Sequence, residues 1–169
     1  MSKKPGKMYR EIKQQAYTRR EYMGGVPANR ITQFDMGDPN GNFPLKLSLL
    51  SKGNCQIRHT ALEATRVVVN KYLVKQLGEK GFHLKIFPYP HHVLRENKQA
   101  TGAGADRVSM GMRMSFGKAV GTAARVYVGQ RILSIRIGKD KIDIGKEAMR
   151  RAKMKLPTKT EITIETINV

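Results

Sequence analysis

The chain contains a single cysteine, Cys55, and no tryptophan, and aromatic residues make up only 7% of its length. One cysteine cannot form an intrachain disulfide, so the composition excludes a disulfide-stabilised secreted scaffold and fits a reducing compartment. No apolar run approaches the length that is needed to cross a membrane. The basic amino terminus is not followed by an apolar segment either, so we expect no secretory signal.

Acidic residues are also scarce. Thirteen Asp and Glu stand against 32 Lys and Arg, which gives a formal net charge of +19 over 169 residues. Such a charge opposes compaction, and a chain that keeps it usually has a polyanionic partner, most often nucleic acid. An anionic membrane surface would instead require a basic amphipathic helix or a lipidation signal, and the sequence offers neither convincingly. The composition therefore predicts a one-domain, intracellular, nucleic-acid-binding protein.

The sequence lacks the motifs of an enzyme site. Its four histidines do not have metal-ligand spacing, and one cysteine cannot complete a zinc site. Arg107 stands where a dinucleotide-binding fingerprint needs its third glycine, and residues 111–118 are one residue too long for a P-loop. We therefore predict a protein that is not an enzyme and has no cofactor, no metal and no small-molecule substrate.

Residues 1–30 form a basic segment in which tyrosines are interleaved with arginines. Eight cations stand there against two acids, and residues 24–27 break any regular structure. One interpretation is a solvated, disordered tail. We favour an arm that orders on RNA, with arginines on phosphates and tyrosines stacked on bases or ribose, because a solubilising tail does not need aromatic residues. The predicted contact residues of this arm are Lys3, Lys4, Arg10, Tyr17, Arg19, Arg20 and Tyr22.

Residues 31–169 carry the patterns of a compact α+β domain, with two helices packed on mostly antiparallel strands. The predicted order is β-β-α-β-β-β-α-β. Alternating apolar residues predict strands over 31–34, 45–50, 82–87, 125–128, 131–137 and 160–167. The strand pattern of 82–87 resumes at 93–95, and residues 56–59 are a possible further short strand. The Gly129-Gln130 pair between two of these segments predicts a β-hairpin.

The first helix is predicted from a capping box, with Thr60 as N-cap and Glu63 reaching back to it. Gly78 or Gly81 closes this helix. Its apolar residues recur on one face at helical spacing. They are Leu62, Val69, Tyr72, Leu73 and Leu77.

The second helix is predicted over 142–156, with Asp140 as N-cap and Pro157 ending it. Four cations gather near its carboxyl end. Cations there complement the helix dipole, but four in six residues exceed that need, so we also interpret them as a phosphate-facing patch. The predicted contact residues on this helix are Arg150, Arg151 and Lys153.

The segment around residues 99–118 alternates glycines with cations, and Asp106 is its one acid. It predicts a mobile loop that presses flexible backbone and positive charge against phosphates. Its methionines either line the core side of a strand or form a pliable apolar edge on a loop that meets RNA or protein. These are Met110, Met112 and Met114. Lys118 and Arg125 complete the residues that we predict to contact RNA.

Several separated blocks occur together in this chain, at residues 17–22, 25–27, 105–126, 129–130, 134–136 and 150–153. In these blocks the chain resembles a universal large-subunit ribosomal protein family, called L-ten-e in archaea and eukaryotes and L-sixteen in bacteria. It is similar to the archaeal type, and the resemblance covers nearly the whole length.

The resemblance implies an α/β-hammerhead fold and a cytoplasmic protein of the ribosome without catalytic residues or metal. It also implies binding to large-subunit rRNA near the aminoacyl-tRNA path, with 5S rRNA, aminoacyl-site tRNA and neighbouring ribosomal proteins as partners, and no membrane. An RNA-modifying enzyme and a DNA architectural protein are the alternatives. By position, the loop that extends toward the peptidyl-transferase region consists of Thr101, Gly102, Ala103, Gly104, Ala105, Asp106, Arg107, Val108, Ser109, Met110, Gly111, Met112 and Arg113.

Overall fold

The computed structural model describes residues 12–167, which form two antiparallel sheets and two long helices. Every pairing between the described strands is antiparallel, and the predicted α+β class is confirmed. The helices are α1 (His59–Leu77) and α2 (Ile142–Lys153). The strands are β1 (Asp35–Gly37), β2 (Leu45–Ser51), β3 (Cys55–Arg58), β4 (His83–Ile86), β5 (His92–Glu96), β6 (Lys118–Val126), β7 (Arg131–Ile137) and β8 (Thr160–Thr166).

The larger sheet has the strand order β1-β4-β7-β2-β8 and supplies much of the hydrophobic core. Alternate residues of β2 face the same side of the sheet as their partners on β7. The pairs are Leu45 with Ile137, Leu47 with Ile135, and Leu49 with Leu133, and all six side chains are buried. Burial of these branched apolar side chains stabilises the sheet by roughly 1.5–3 kcal/mol each.

Both helices pack on this core, and α1 does so through the face that the sequence predicts. Leu62, Val69 and Leu73 of α1 are fully buried, while Tyr72 and Leu77 are partly buried against them. On α2, the buried residues are Met149 and three small residues, Gly145, Ala148 and Ala152. A Cβ atom on Gly145 would lie 2.7 Å from Cδ1 of Ile137, so glycine permits the close approach of α2 to β7.

The predicted capping box on α1 is wrong. Strand β3 runs directly into the helix, Arg58 occupies the N-cap position, and no side chain caps it. Glu63 instead accepts hydrogen bonds from Nε and Nη2 of Arg66 at 2.9 and 2.7 Å. A guanidinium offers this carboxylate two charge-assisted bonds, which are stronger than the single bond to a backbone N–H group.

The predicted bounds of the second helix are also corrected. Asp140 is not its N-cap, because Asp140 lies one residue earlier, in the 3-10 turn Lys139–Lys141, and Lys141 occupies that position. The helix ends at Lys153 rather than at residue 156. The chain then tightens into a turn, with the Lys155 amide donating to the Ala152 carbonyl oxygen at 3.0 Å.

The predicted hairpin around Gly129 is wrong, because its two strands belong to different sheets. Strand β6 pairs with β3 and β5 in the smaller sheet, of order β3-β6-β5, whereas β7 pairs with β2 and β4. The turn bonds to the end of β2: Gly129 N–H donates to the Ser51 carbonyl oxygen at 2.8 Å, and Ser51 N–H donates to that of Gln130 at 3.0 Å. The connections β2–β3 and β6–β7 therefore cross side by side between the sheets.

Two further differences concern strand positions. Residues 31–34 are not a strand, and pairing begins at Asp35 in β1. Ile31 is nevertheless buried, and the Phe34 carbonyl oxygen accepts the Ile86 N–H at 2.8 Å, so the segment packs without a regular ladder. The open strand at 56–59 exists as β3, and 93–95 belongs to a separate strand, β5. The observed order is therefore β-β-β-α-β-β-β-β-α-β.

Gly37 is the site of a close backbone approach between β1 and β4. Its φ is +86°, and a Cβ atom would lie 2.1 Å from the Phe82 carbonyl oxygen. Gly129 has a similar φ of +79° but open space around it. We expect Gly129→Ala to lower the free energy of unfolding by about 1 kcal/mol through backbone strain alone. We expect Gly37→Ala to lower the free energy of unfolding by about 1–3 kcal/mol more, because its Cβ atom also overpacks the site. Urea unfolding followed by circular dichroism measures both, and equal losses would contradict this account.

Candidate nucleic-acid interface

The described part of the amino-terminal segment is anchored on the smaller sheet. The Tyr17 N–H donates to Nδ1 of His92 at 2.9 Å, and the Tyr17 carbonyl oxygen accepts the Val93 N–H at 2.9 Å. The Arg125 guanidinium on β6 donates to the carbonyl oxygens of Gln14 and Gln15. Residues 14–17 are therefore fixed along β5 by backbone and side-chain bonds from two neighbouring strands.

A second set of bonds holds the other end of this segment. The Arg30 N–H donates to Nδ1 of His59 at 2.9 Å, and the Thr122 hydroxyl donates to Oδ1 of Asn29. The chain between these anchors contains a single 3-10 turn, Arg20–Tyr22. The anchors hold Arg19, Arg20 and Tyr22 at the surface, where all three side chains are exposed.

Histidine 92 accepts a hydrogen bond only while its ring nitrogen is unprotonated. Burial, together with the charges of Arg125 and Arg95, lowers the pKa of His92 to about 4. At neutral pH the ring is therefore neutral and available to the Tyr17 N–H. Burial, with Arg58 and Arg30, also lowers the pKa of His59, whose Nδ1 atom has the same role at Arg30.

Arg95 connects the anchored segment to the glycine-rich loop. Its guanidinium carbon lies 4.5 Å from the ring centre of Tyr17 and 4.0 Å from that of Phe116. The two rings meet edge to face, with centroids 6.2 Å apart and an interplanar angle of 82°. Cation–π contacts of this kind contribute roughly 0.5–2 kcal/mol each.

The loop itself connects β5 to β6 over residues 97–117. Its ends are close together because Glu96 and Lys118 are antiparallel partners. Within it, residues Ala105–Val108 form one helical turn. The side-chain amide of Gln99 donates to the Gly111 carbonyl oxygen at 2.8 Å, and the backbone N–H of Ala100 donates to the Ser109 hydroxyl at 2.7 Å. The side chain of Arg107, like that of Arg113, is exposed.

The loop methionines do not line a core strand. Met110, Met112 and Met114 are 73–79% exposed and lie outside the strands, so the first interpretation of these residues is wrong. Of the thirteen residues 101–113 that the resemblance implies for the extended loop, Ala105 and Ser109 are half-buried and the side chain of Asp106 lies outside the description. The others are exposed.

The cations at the end of α2 are divided between ion pairs and solvent. Glu147 accepts hydrogen bonds from Nε of Arg150 at 2.7 Å and from Nε of Arg151 at 2.8 Å, and these bonds lower its pKa to about 2. Arg151 also lies over the Tyr72 ring at 4.1 Å. Lys153 is exposed, as is Lys118 at the start of β6.

The structure thus brings some of the predicted contact residues together and separates others. Tyr17, Arg125 and Lys118 gather around β5 and β6, whereas Arg150, Arg151 and Lys153 lie on α2. Lys3, Lys4 and Arg10 lie outside the described residues. Sequence reasoning missed Arg95, Phe116 and His92. These residues could have been found by recognising that the strands on either side of the loop pair with each other, because this pairing brings Arg95 beside the loop exit.

Within residues 12–167, no group of three or more His, Cys, Asp and Glu side chains is arranged to hold a metal ion. Among the helices of the same part of the chain, none has the length and apolar character that would let it cross a membrane.

Comparison with known proteins decides the family. The family model described as ribosomal protein L16p/L10e matches residues 12–163. The chain belongs to this family. It is 57% identical over 165 residues to the large ribosomal subunit protein uL16 of Methanoculleus marisnigri, which covers 98% of this chain and 97% of the relative. It is 50% identical to the protein of the same name from Archaeoglobus fulgidus, with 98% and 94% covered, and 51% identical to that from Thermoplasma acidophilum, with 97% and 93% covered.

Membership in the L16p/L10e family confirms the resemblance that was drawn from separated sequence blocks, including its archaeal type. The protein is a structural ribosomal protein of the cytoplasm and not an enzyme.

The anchor at His92 gives a pH dependence with a defined sign. Between pH 6.5 and about 4, a histidine at position 92 is protonated in the unfolded chain but neutral in the folded one. The unfolded state then binds more protons, so the free energy of unfolding falls as the pH falls through this window. His92→Asn keeps an acceptor near the Nδ1 position and removes the titration. We expect the variant to lose less stability than the wild type between pH 7 and pH 5 in urea unfolding.

Because His59 remains in both proteins, it cancels from that comparison. An equal loss of stability in the wild type and in His92→Asn would show that His92 does not carry this dependence.

Proposed function

We propose that this protein is a structural component of the large ribosomal subunit that binds large-subunit rRNA through its basic arm and through the α2 patch, which consists of Arg150, Arg151 and Lys153. In this proposal it lies near the aminoacyl-tRNA path and extends residues 101–113 toward the peptidyl-transferase region. 5S rRNA, aminoacyl-site tRNA and neighbouring ribosomal proteins are its further partners. The mobile loop of about residues 99–118 and the division into an arm (1–30) and a domain (31–169) are part of the same proposal.

The observation that carries this proposal is the exposed loop between the paired residues Glu96 and Lys118. A ribosomal protein that only covers rRNA does not need a long loop with exposed methionines and arginines. A long loop whose two ends are fixed by a β-ladder can extend to a site beyond the body of the protein. Its glycines allow close backbone approach to phosphates, and its cations replace condensed counterions.

The family membership weighs against the two alternatives. An RNA-modifying enzyme and a DNA architectural protein both account for the net charge of +19, but neither is expected of a family of structural ribosomal proteins. Relatives named as large ribosomal subunit proteins favour the large subunit as the site of assembly.

Deletion of residues 101–113 tests the role of the loop. The deletion leaves residues 97–100 and 114–117 to connect Glu96 with Lys118, which is enough chain for a hairpin connection. We expect a folded protein that still sediments with the large subunit in a high-salt sucrose gradient, but subunits that translate poorly. The control is Arg107→Gln with Arg113→Gln in the full-length loop, which separates loss of charge from loss of length. Normal translation by the deletion subunits would overturn the proposed loop function.

Removal of one exposed cation tests the α2 patch. Each Lys that contacts a phosphate adds about 0.9 to the salt dependence of the logarithm of the binding constant. We expect Lys153→Gln to weaken binding to purified large-subunit rRNA and to reduce the slope against the logarithm of KCl concentration by about 1. Lys80→Gln is the matched control, since Lys80 borders a groove that also contains Asp35, Asp38 and Glu79. Equal slopes for the two variants would place the phosphate contacts elsewhere.

A further inference from the structure

A cavity of about 480 Å³ lies where the amino-terminal segment meets the exit of the glycine-rich loop. Its volume falls within the range of roughly 300–1,000 Å³ that is common for small-ligand sites. One side consists of the segment after the Arg20–Tyr22 turn, and the opposite side consists of residues 116–119. The anchors at Tyr17 and at Arg30 hold the first side in place.

Two aromatic rings border this cavity and remain exposed to solvent. Phe116 is 67% exposed and Tyr22 is 72% exposed. The Phe116 ring is nevertheless held in position, because the Arg95 guanidinium lies over it and Tyr17 contacts it edge to face. A positioned but exposed aromatic ring is a ready stacking surface for another flat π-system.

Gly117 fixes the backbone on which Phe116 stands. A Cβ atom at this position would lie 2.6 Å from the backbone carbon of Glu96 and 2.7 Å from its nitrogen. Glycine therefore allows the loop exit to lie directly against β5, beside Arg95. On the opposite side of the cavity, a Cβ atom on Gly24 or Gly25 would meet nothing within 4 Å, so the space there is open.

The charges around the cavity indicate what the rings would stack against. Arg95 and Lys118 both border it, and none of its described lining residues is acidic. Aromatic rings combined with nearby cations form the arrangement that proteins use for unpaired nucleotides, with the base on the ring and the phosphate on the cation. A peptide ligand would need hydrogen-bond partners for its backbone, whereas this lining is largely aromatic and apolar.

We infer that this cavity receives the base of a single unpaired RNA nucleotide, stacked on Phe116, with Lys118 at its phosphate. The inference rests on the proposed rRNA binding and specifies one site within it. Arg95 acts as a positioning residue, because its contacts with Phe116 and Tyr17 hold the stacking ring against the anchored segment.

A bulged fluorescent base tests the site in the full-length protein. The probe is an RNA hairpin with one bulged 2-aminopurine, whose fluorescence falls on stacking, and the protein contributes no tryptophan signal. The companion probe is the same hairpin with an abasic bulge. Loss of one base–aromatic stack weakens binding roughly five- to 160-fold. We expect the wild type to quench the probe and to bind it at least about fivefold more tightly than the abasic hairpin.

The decisive variant is Phe116→Leu, which removes the ring. We expect it to abolish both the quenching and the preference for a base, while Phe116→Tyr retains both. The matched control is Phe87→Leu, since Phe87 is also an exposed phenylalanine with an arginine over its ring, Arg131 at 5.3 Å, but lies outside this cavity. Unchanged circular dichroism confirms that Phe116→Leu is folded.

The outcomes separate this inference from the proposed function. If the wild type binds both hairpins with equal affinity, or if Phe116→Leu behaves like the wild type, RNA binding stands and the nucleobase site is wrong. If the wild type binds neither the hairpins nor large-subunit rRNA, the proposed function fails together with the site.

AMP is the final competitor. Displacement of the hairpin by AMP at a concentration similar to that of the RNA would make this a site for free nucleotides and overturn the RNA assignment.

Discussion

The antiparallel pairing of β5 with β6 is the constraint on which the candidate interface depends. It places Glu96 beside Lys118, so a long loop leaves and re-enters the fold at one point. The same two strands supply His92 and Arg125, which hold the amino-terminal segment, and Arg95, which holds the loop exit. The first anchor of the amino-terminal segment, the loop and the cavity between them therefore depend on one ladder, although they are far apart in the sequence.

The distribution of carboxylates complements this arrangement. In the packed body, Asp35 pairs with Lys85, Glu161 with Lys52, and Glu165 with Lys46. These pairs neutralise cations on the larger sheet and next to it, where repulsion between like charges would oppose folding. The amino-terminal arm, the glycine-rich loop and the end of α2 therefore supply much of the net charge of +19. A phosphate-rich partner can neutralise these segments.

The elements that the sequence predicts well are those that depend on local periodicity. The buried face of α1 and the extent of β2, β7 and β8 follow from the spacing of apolar residues alone. The failures are non-local. The apolar residues around Gly129 alternate in the same way whether the two segments pair with each other or lie in different sheets. The two arrangements differ only in their partner strands, which are distant in the sequence. The predicted capping box is wrong because β3 continues directly into the helix, which places Thr60 inside the helix and not at its N-cap.

For the interface, composition could predict the class of partner but not which residues cooperate. The sequence singles out Tyr17 as an aromatic residue among cations, yet its contacts are with Arg95 and Phe116, far along the chain. The sequence also treats Arg150, Arg151 and Lys153 as equivalent cations. In the structure, Arg150 and Arg151 share Glu147, whereas Lys153 is exposed.

This difference on α2 sets how its cations could meet RNA. A phosphate that approaches Arg150 or Arg151 must compete with a carboxylate that stays ionised down to about pH 2, but the competition takes place at the surface. Exposed ion pairs contribute little to stability because water screens them and because two long side chains must be ordered. In the proposed contact, Glu147 would hold the two guanidiniums in place before binding and would then give way to phosphate oxygens.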